Sequence, residues 1–452
     1  MYMKQSSPLN RKTLNLAKMF CVVTLLAVMS CTRTADVYDT AKETSQESKT
    51  KQEMSLEDKT IRLFSSLYNT SLRNGVAPTL SSLDSTKTES PDTKLYLANF
   101  SEGGFMLFRD GGGEEMEVIG HSDESSLHFS DGEANPILEQ IFRTSASLYA
   151  GHTGLPTPKP SPFPDPNPNP NPNPNPNPYP GGTPPALQDY PKTIIESRSE
   201  PYIVKDFNPN TYQYFGQGRP FNCYISSSFI MSEDIDAGCG SIAIATLLSH
   251  YEMQAGGSNV DWKRLKQYYN KPLNRNPKLE DDKELIHQLR VLVKDTWKYA
   301  GSISTTGFTM SFPSKVSKYL KRAGFNVDYV KNYKPGEICQ ILRDKHQPFI
   351  LLGWSQDDDG KKGHYWVVDG LARRVHKEYG YTIESPGATP EPFESEVSDN
   401  YYFHCTWGWN GGSNGWFAPR VINDNEGIPD DELRSSHPKG EYYNISTFYI
   451  WK

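Results

Sequence analysis

The chain has 452 residues and a formal net charge of −7 at pH 7. Because one hydrophobic core rarely serves more than about 250–300 residues, this length predicts two folded units. The acidic balance offers no basic face to a phosphate backbone and therefore argues against nucleic-acid binding.

The first 31 residues have the composition of an export signal. A basic stretch from Lys4 to Lys18 precedes an apolar run, Met19–Met29, that is too short to anchor the chain across a bilayer. Ser30 and Cys31 follow, and they resemble the site at which bacterial lipoproteins are cut and acylated on cysteine. We predict a lipoprotein-type signal peptide over 1–31, lipidated at Cys31; the alternative is an ordinary signal peptide with an incidental cysteine. The mature chain would then be exported and membrane-anchored, facing the periplasm or the cell surface.

A tether and a small folded unit are predicted next. Residues 32–55 are rich in Thr, Ser, Lys and Glu without apolar periodicity, as is typical of a disordered tether. Apolar residues from Ile61 to Tyr68 approximate helical spacing, and a helix is expected from Pro136 to Phe142. Strand-like runs lie between them, so the pattern predicts a small α+β unit over 56–150. These runs are Leu95–Phe100, Gly104–Arg109 and Met116–Ile119.

A proline-rich segment, 151–186, separates this unit from the rest of the chain. Its centre alternates Asn and Pro without interruption from Asn167 to Pro178. Proline has no amide donor and biases the preceding residue away from helix, so we predict a linker. A protein-binding proline motif is the alternative.

The remaining residues, 187–452, contain helical patterns first and strand patterns afterwards, which predicts an α+β domain. Besides a helix that begins at Cys239, the helical patterns are Asp282–Trp297, Pro313–Arg322 and Gly336–Lys345. The strand patterns are Phe349–Trp354, Tyr365–Val368, Tyr401–Thr406, Trp416–Ala418 and Thr447–Trp451.

Cys239 is the candidate nucleophile. It lies between two glycines at the start of a helix that is apolar on nearly all sides. A helix N-terminus supplies positive potential and free amides, which favour a thiolate and can receive an oxyanion. By itself this motif fits a buried structural cysteine better than a nucleophile.

His364 is the candidate base. It precedes an apolar strand, Tyr365–Val368, and a rigid imidazole there could pair with a thiol on a facing helix. A structural histidine is the alternative, but cysteine before histidine, on helix and then strand, is the order found in papain-like enzymes. His250, His287 and His404 lack metal-ligand spacing, so we predict no metal and no cofactor. The run Asp357–Gly360 is predicted to be a solvated loop and not a calcium site.

The segment Phe403–Phe417 makes a family resemblance specific. Its Trp-Gly-Trp run and the preceding Gly-Cys and Gly-His motifs resemble the streptopain family of bacterial cysteine proteases. The resemblance implies a papain-like catalytic domain over 187–452, with a helical part facing an antiparallel sheet. It assigns Gln217 to the oxyanion hole and Trp407 to shielding the imidazole. The family's asparagine, which would orient that imidazole, is replaced by Thr406, so activity could be weakened.

The first folded unit also resembles the family's prodomain, through Tyr96–Phe100 and Val118–Ser122. The resemblance implies an intramolecular inhibitor that blocks the cleft, and a zymogen that is activated by cleavage in the linker. We therefore predict an exported cysteine endopeptidase acting on proteins or peptides through Cys239 and His364. The alternatives are a non-catalytic surface protein that retains the fold, and a leader-peptide or cell-wall hydrolase.

Overall fold

The computed structural model describes most of the chain beyond residue 53, in fourteen ranges: 54–68, 78–87, 94–110, 116–131, 136–147, 191–209, 215–225, 235–269, 279–303, 309–331, 333–357, 360–386, 388–422 and 442–452. The predicted signal peptide, Cys31, nearly all of the tether and the 151–186 linker lie outside these residues. Met54–Lys452 forms one compact unit. None of the helices in the described ranges has the length and apolar character needed to cross a membrane.

The N-terminal region, residues 54–147, is a small α+β structure. Its elements are α1 (Leu56–Leu67), β1 (Leu80–Lys87), β2 (Lys94–Phe100), β3 (Phe105–Asp110), β4 (Met116–Ser122) and α2 (Pro136–Ser147). Ser55 caps α1, because its Oγ accepts a hydrogen bond from the Asp58 amide at 3.1 Å. The buried face of α1 packs on the sheet, with Phe64 stacked on Phe100 at 3.8 Å between ring centroids.

The helices of the C-terminal region, residues 191–452, follow the sequence predictions closely. The helix from Pro313 to Arg322 has the predicted bounds, and the one from Cys239 is buried on nearly every side from Gly240 to Ser249. A helix buried all round needs an apolar residue on every face, which is the pattern of this segment. The α-helices are α3 (Cys239–His250), α4 (Trp262–Tyr269), α5 (Lys283–Ala300), α6 (Pro313–Arg322), α7 (Pro335–Lys345) and the short α8 (Pro419–Ile422).

The strands of both regions form one antiparallel sheet. Its order is β1-β2-β3-β4-β13-β12-β11-β10-β14-β9, with β5 and β6 also paired to β11, while β7 and β8 form a separate hairpin. The strands of the C-terminal region are β5 (Lys192–Arg198), β6 (Tyr202–Phe207), β7 (Gly301–Ile303), β8 (Thr309–Ser311), β9 (Asn326–Val330), β10 (Phe349–Asp357), β11 (Gly360–Ile383), β12 (Glu391–Thr406), β13 (Gly415–Phe417) and β14 (Tyr442–Trp451). The predicted α+β class, with a helical part facing an antiparallel sheet, is confirmed.

The two regions meet where β4 pairs with β13. His121 and Gly120 of β4 lie opposite Trp416 and Phe417 of β13. This junction makes the N-terminal region an extension of the C-terminal sheet, because the backbone pairing continues from one to the other.

Strand β11 separates two hydrophobic cores. Because side chains alternate along a strand, Trp366 and Val368 lie in one core, shared with the N-terminal region, whereas Tyr365 and Val367 lie in the other, against α3. Helix α3 thus packs on the face of β11 that carries Tyr365, the residue after His364.

Strands β11 and β12 are much longer than the sequence predicts. The outer half of β11 pairs with β5 and with the first half of β12. This arm has few buried residues on either face, so its sequence lacks the regular apolar alternation from which strands are predicted.

Candidate active site

Cys239 occupies the first turn of α3 and is half-buried. The residue before it, Gly238, has φ of 77°, a left-handed conformation that glycine adopts without strain. Burial raises the pKa of the Cys239 thiol, and hydrogen bonds from the backbone amides of Tyr365, Gly240 and Cys239 oppose that effect. In this state the thiol is therefore favoured over the thiolate.

The helix start also requires glycine at 240. A Cβ on Gly240 would lie 2.4 Å from the Ser311 Cβ, far closer than two side-chain carbons approach. Ser311 is itself held by Tyr365, whose hydroxyl donates to the Ser311 carbonyl at 3.0 Å. Strand β8 thus packs tightly against the first turn of α3, beside the thiol.

His364 lies near the start of β11, opposite Gly353 of β10, and is buried. Its ring is nearly parallel to two indoles, those of Trp366 at 6.3 Å and 11° and Trp409 at 5.8 Å and 10°. Burial lowers the pKa of the imidazole to about 4, although a hydrogen bond to the Trp407 carbonyl acts in the opposite direction. In this state the imidazole is neutral at physiological pH.

The Trp407 carbonyl determines which nitrogen of His364 can act as the base. Nε2 lies 3.2 Å from that oxygen, and a carbonyl only accepts, so Nε2 must carry the hydrogen. Nδ1 is then the unprotonated nitrogen, free to accept a proton.

The thiol contacts the backbone next to His364, and it forms no hydrogen bond with the imidazole. Cys239 Sγ is 3.9 Å from the carbonyl oxygen of Gly363, the residue before His364. Within the described residues, each of the two groups hydrogen-bonds to a backbone carbonyl and not to the other. The structure therefore brings the predicted nucleophile into contact with the residue before the predicted base, and both groups are neutral in this state.

Thr406 does not contact the imidazole, which differs from the sequence expectation. It pairs with Val367 across β11 and β12, so its side chain lies on the opposite face of the sheet from His364. Its hydroxyl donates to Asp369 Oδ2 at 3.3 Å, and Asp369 Oδ1 is 2.6 Å from His404 Nδ1. The orienting contact is made by the Trp407 main chain, which sequence reasoning missed because a backbone carbonyl has no residue-type signature.

Trp407 is buried, as its predicted shielding role requires. Its indole contacts Trp366 and Phe417, at 5.7 and 5.5 Å between ring centroids. Its backbone amide donates to Asn414 Oδ1 at 3.1 Å, and its Nε1 donates to the Ser413 carbonyl at 3.0 Å. The loop from Trp407 to Asn414 therefore folds back to hold its own first residue.

Gln217 lies in a loop held on two sides of the site. Its carbonyl accepts from the Ala237 amide at 2.8 Å, just before Cys239. The preceding residue, Gly216, forms a β-bridge with Trp409. The backbone of the half-buried Gln217 thus adjoins the segment that leads into Cys239.

The N-terminal region contacts the Trp407–Asn414 loop. Ser413 Oγ donates to Asp131 Oδ2 at 2.8 Å, and Ser125 Oγ donates to the Asn414 carbonyl. Besides pairing with β13, the N-terminal region thus contacts the loop that holds the imidazole's partner.

In the described part of the chain, no cluster of three or more His, Cys, Asp or Glu is placed to hold a metal ion. The four described cysteines form no disulfide; they are Cys223, Cys239, Cys339 and Cys405.

The comparison with known families agrees with this site. Residues 215–417 match the peptidase C10 family, and the predicted resemblance to streptopain-type enzymes is confirmed over this range. This part of the chain is a cysteine-type peptidase.

Two solved structures are similar to the chain, both of interpain A from Prevotella intermedia. A mutant prointerpain A fragment is 12% identical, with a TM-score of 0.42, over 81% of this chain and 98% of that chain. The active wild-type interpain A cysteine protease is 14% identical, with a TM-score of 0.34, over 54% of this chain and 93% of that chain. No curated protein matches the chain.

Proposed function

We propose that the cysteine peptidase of residues 215–417 is an endopeptidase, made as an exported zymogen, that acts through Cys239 and His364. One observation carries the assignment. The His364 Nε2 hydrogen is held by the Trp407 carbonyl while the adjoining backbone, at Gly363, contacts the Cys239 thiol at 3.9 Å. This arrangement leaves Nδ1 as the base beside the only thiol at a helix N-terminus among the described cysteines.

Peptide hydrolysis follows from these groups in two stages. Nδ1 of His364 takes the Cys239 proton, and the thiolate attacks the substrate carbonyl. The tetrahedral oxyanion is stabilised by the Cys239 amide and the Gln217 side chain. Nδ1 then protonates the leaving amine, which leaves a thioester. Water, deprotonated by the same nitrogen, attacks the thioester, and collapse of the second intermediate returns the proton to sulfur.

The ion pair has to form before this chemistry can begin. Burial now raises the pKa of the thiol and lowers the pKa of the imidazole to about 4, so both groups are neutral. Activation must therefore bring the imidazole toward the thiol, where each charge stabilises the other.

The N-terminal region is proposed to keep the enzyme latent. It is joined to the catalytic sheet through β4 and β13, and it contacts Ser413 and Asn414 in the Trp407 loop. Cleavage in the 151–186 linker, or shortly after it, would separate this region from the catalytic domain. Export through the 1–31 signal and anchoring through a lipid on Cys31 complete the proposal, and both rest on sequence alone.

The alternative of an inactive surface protein loses its main support. That alternative depended on Thr406 as a defective orienting group, but the Thr406 hydroxyl bonds to Asp369 while the imidazole bonds to the Trp407 carbonyl. A threonine in this position leaves the orienting contact in place.

The test is expression of the wild type beside Cys239→Ala and a matched thiol control, Cys223→Ala, followed by electrophoresis and a casein assay. Wild type and Cys223→Ala should mature by a cut within residues 151–200 and hydrolyse casein, whereas Cys239→Ala should stay full length and inactive. Equal processing of all three chains would assign the cut to another protease. Hydrolysis of purified cell-wall fragments but not casein would favour the cell-wall hydrolase.

A further inference from the structure

The amide side chain of Asn414 lies one residue before β13, where the β12–β13 pairing stops. The register of these strands ends at Cys405 opposite Gly415. Beyond it, the Trp407 amide has no strand partner in that ladder, and Asn414 Oδ1 accepts its hydrogen at 3.1 Å. The Asn414 side chain thus adds one hydrogen bond beyond the end of the β12–β13 ladder. That bond is made to Trp407, whose carbonyl accepts from His364.

The Asn414 amide is used only as an acceptor. Its oxygen must face Trp407, because a backbone N–H needs an acceptor. Its Nδ2 is buried and has no hydrogen-bond partner within the described residues. Burying an unpaired donor is unfavourable, so the hydrogen bond that Oδ1 accepts is what maintains the orientation of the side-chain amide.

The Trp407 peptide is held from both ends. On one side, Asn414 fixes the amide and the Ser413 carbonyl fixes the indole. On the other side, Gly408 turns the chain with φ of 81°, and a Cβ there would lie 2.8 Å from Ile242 Cγ2 on α3. The carbonyl between these fixed points therefore has a set direction relative to the helix that carries Cys239.

We propose that Asn414 is a positioning residue for catalysis, whose Oδ1 holds the Trp407 peptide so that its carbonyl keeps His364 in the productive tautomer and orientation. The inference rests on the proposed roles of Cys239 and His364. It makes the base part of a relay of two hydrogen bonds, from Asn414 through the Trp407 main chain to the imidazole. Asn414 touches neither substrate nor reacting atoms.

The relay predicts which side chains can replace Asn414. Aspartate keeps the acceptor and replaces the unused Nδ2 donor with a second, charged oxygen, so Asn414→Asp should retain kcat within about threefold of the wild type. Leucine has a similar shape without an acceptor, so Asn414→Leu should lower kcat by about tenfold to 100-fold with KM within about twofold, as expected for an outer contact that orients a base. Asn414→Ala, which introduces no new bulk, should behave like the leucine variant.

The experiment compares the four chains after processing in trans by a trace of tagged wild-type enzyme, which is then removed. Circular dichroism of each processed chain checks native folding, and kcat is expressed per mole of folded protein. The pH dependence of Cys239 alkylation by iodoacetamide, read on the Cys239 peptide by mass spectrometry so that the exposed Cys223 does not contribute, reports the thiolate–imidazolium pair. In the leucine and alanine variants its rise should move toward the pKa of an isolated thiol, about 8.5, and in the aspartate variant it should stay near that of the wild type.

Two results would overturn the inference while leaving the proposed function intact. One is a kcat within twofold of the wild type, with an unchanged alkylation profile, for Asn414→Leu or Asn414→Ala. The other is an equal loss in the aspartate variant, which would show that the acceptor is not what matters. A wild-type chain without peptidase activity would instead overturn the proposed function, and this inference with it.

Discussion

His121 of the N-terminal region and Trp416 of the catalytic sheet lie directly opposite each other across β4 and β13, with nearly parallel rings 6.5 Å apart. His121 is completely buried, and its Nδ1 forms a hydrogen bond with the Tyr68 hydroxyl of α1. Its Nε2 has no hydrogen-bond partner within the described residues. A neutral imidazole fits this junction, and a charged one would not.

The buried position of His121 predicts how docking of the N-terminal region depends on pH. Burial lowers the pKa of His121 to about 3, and the positive charges of Lys205, His404 and Arg374 act in the same direction. The released region should titrate near the ordinary value of about 6.5. The released region therefore binds a proton at His121 that the docked region does not bind. Docking weakens as the pH falls from 6.5 toward 3. Between pH 6.5 and 4.5 the loss should be about 2–3 kcal/mol, or roughly 100-fold in affinity.

The measurement uses Cys239→Ala chains cut in the 151–186 linker by an added protease. Gel filtration should show the two pieces together at pH 7.5 and apart at pH 4.5. The other groups facing His121 are Tyr68, Tyr402, His404, Lys205 and Arg374, with Asp123 placed 3.8 Å from the Lys205 Nζ. A Tyr68→Phe/His121→Phe double variant removes both hydrogen-bond partners together and should remain docked at pH 4.5. Equal release of the double variant at that pH would assign the pH dependence to the other groups.

Replacing Thr406 tests which group orients the imidazole. Thr406→Val should leave kcat within about twofold, because the Trp407 carbonyl holds His364. It should lower the free energy of unfolding by about 1–2 kcal/mol, because the buried Asp369 carboxylate loses a donor. Denaturant unfolding and steady-state kinetics on the same preparation separate the two effects. A kcat reduced more than tenfold at unchanged stability would restore the orienting role that the family resemblance implies for Thr406.

Gly408 should not tolerate a side chain. Gly408→Ala combines φ of 81° with a Cβ 2.8 Å from Ile242 Cγ2, so α3 and the Trp407 loop would have to move apart. We expect a loss of about 1–3 kcal/mol in unfolding free energy, together with reduced kcat. Gly336→Ala is the control, because a Cβ there meets nothing within 4 Å; it should unfold at the same or a higher denaturant concentration with unchanged kcat. Similar behaviour of the two variants would contradict the close packing of this loop.

The cysteines should differ in reactivity while all remaining reduced. Cys405 is buried, and burial with the nearby Asp369 charge raises the pKa of its thiol well above the ordinary value. In native protein at pH 8, iodoacetamide should therefore modify the exposed Cys223 and leave Cys405 unmodified, as read by peptide mass spectrometry. After denaturation without reductant, Cys223, Cys239, Cys339 and Cys405 should all react. Protection of any pair under those conditions would reveal a disulfide.

Local signals in the sequence were sufficient to select candidates for the nucleophile and the base, and their joint order with the family resemblance made them a pair. Cys239 begins an apolar helix after a glycine, and His364 precedes an apolar strand, so each is recognisable within a few residues. The same short-range rules predict α6 from Pro313 to Arg322, because proline at the first turn and helical apolar spacing act within one element. The arm of β5, β11 and β12 was not predicted, since its exposed faces give no regular pattern.

The sequence alone therefore determined which residues could carry the chemistry, and through a resemblance it indicated the peptidase class. The tertiary structure decided how they are held. Strand parity turns the Thr406 side chain away from His364, and the fold of the loop back onto Asn414 brings the Trp407 carbonyl to the imidazole. Pairing of β4 with β13 likewise depends on segments far apart in the chain. Nearly every residue has a backbone carbonyl and a backbone N–H, so the sequence does not show which of these groups hydrogen-bonds to a catalytic side chain. Only their positions in the folded chain show it.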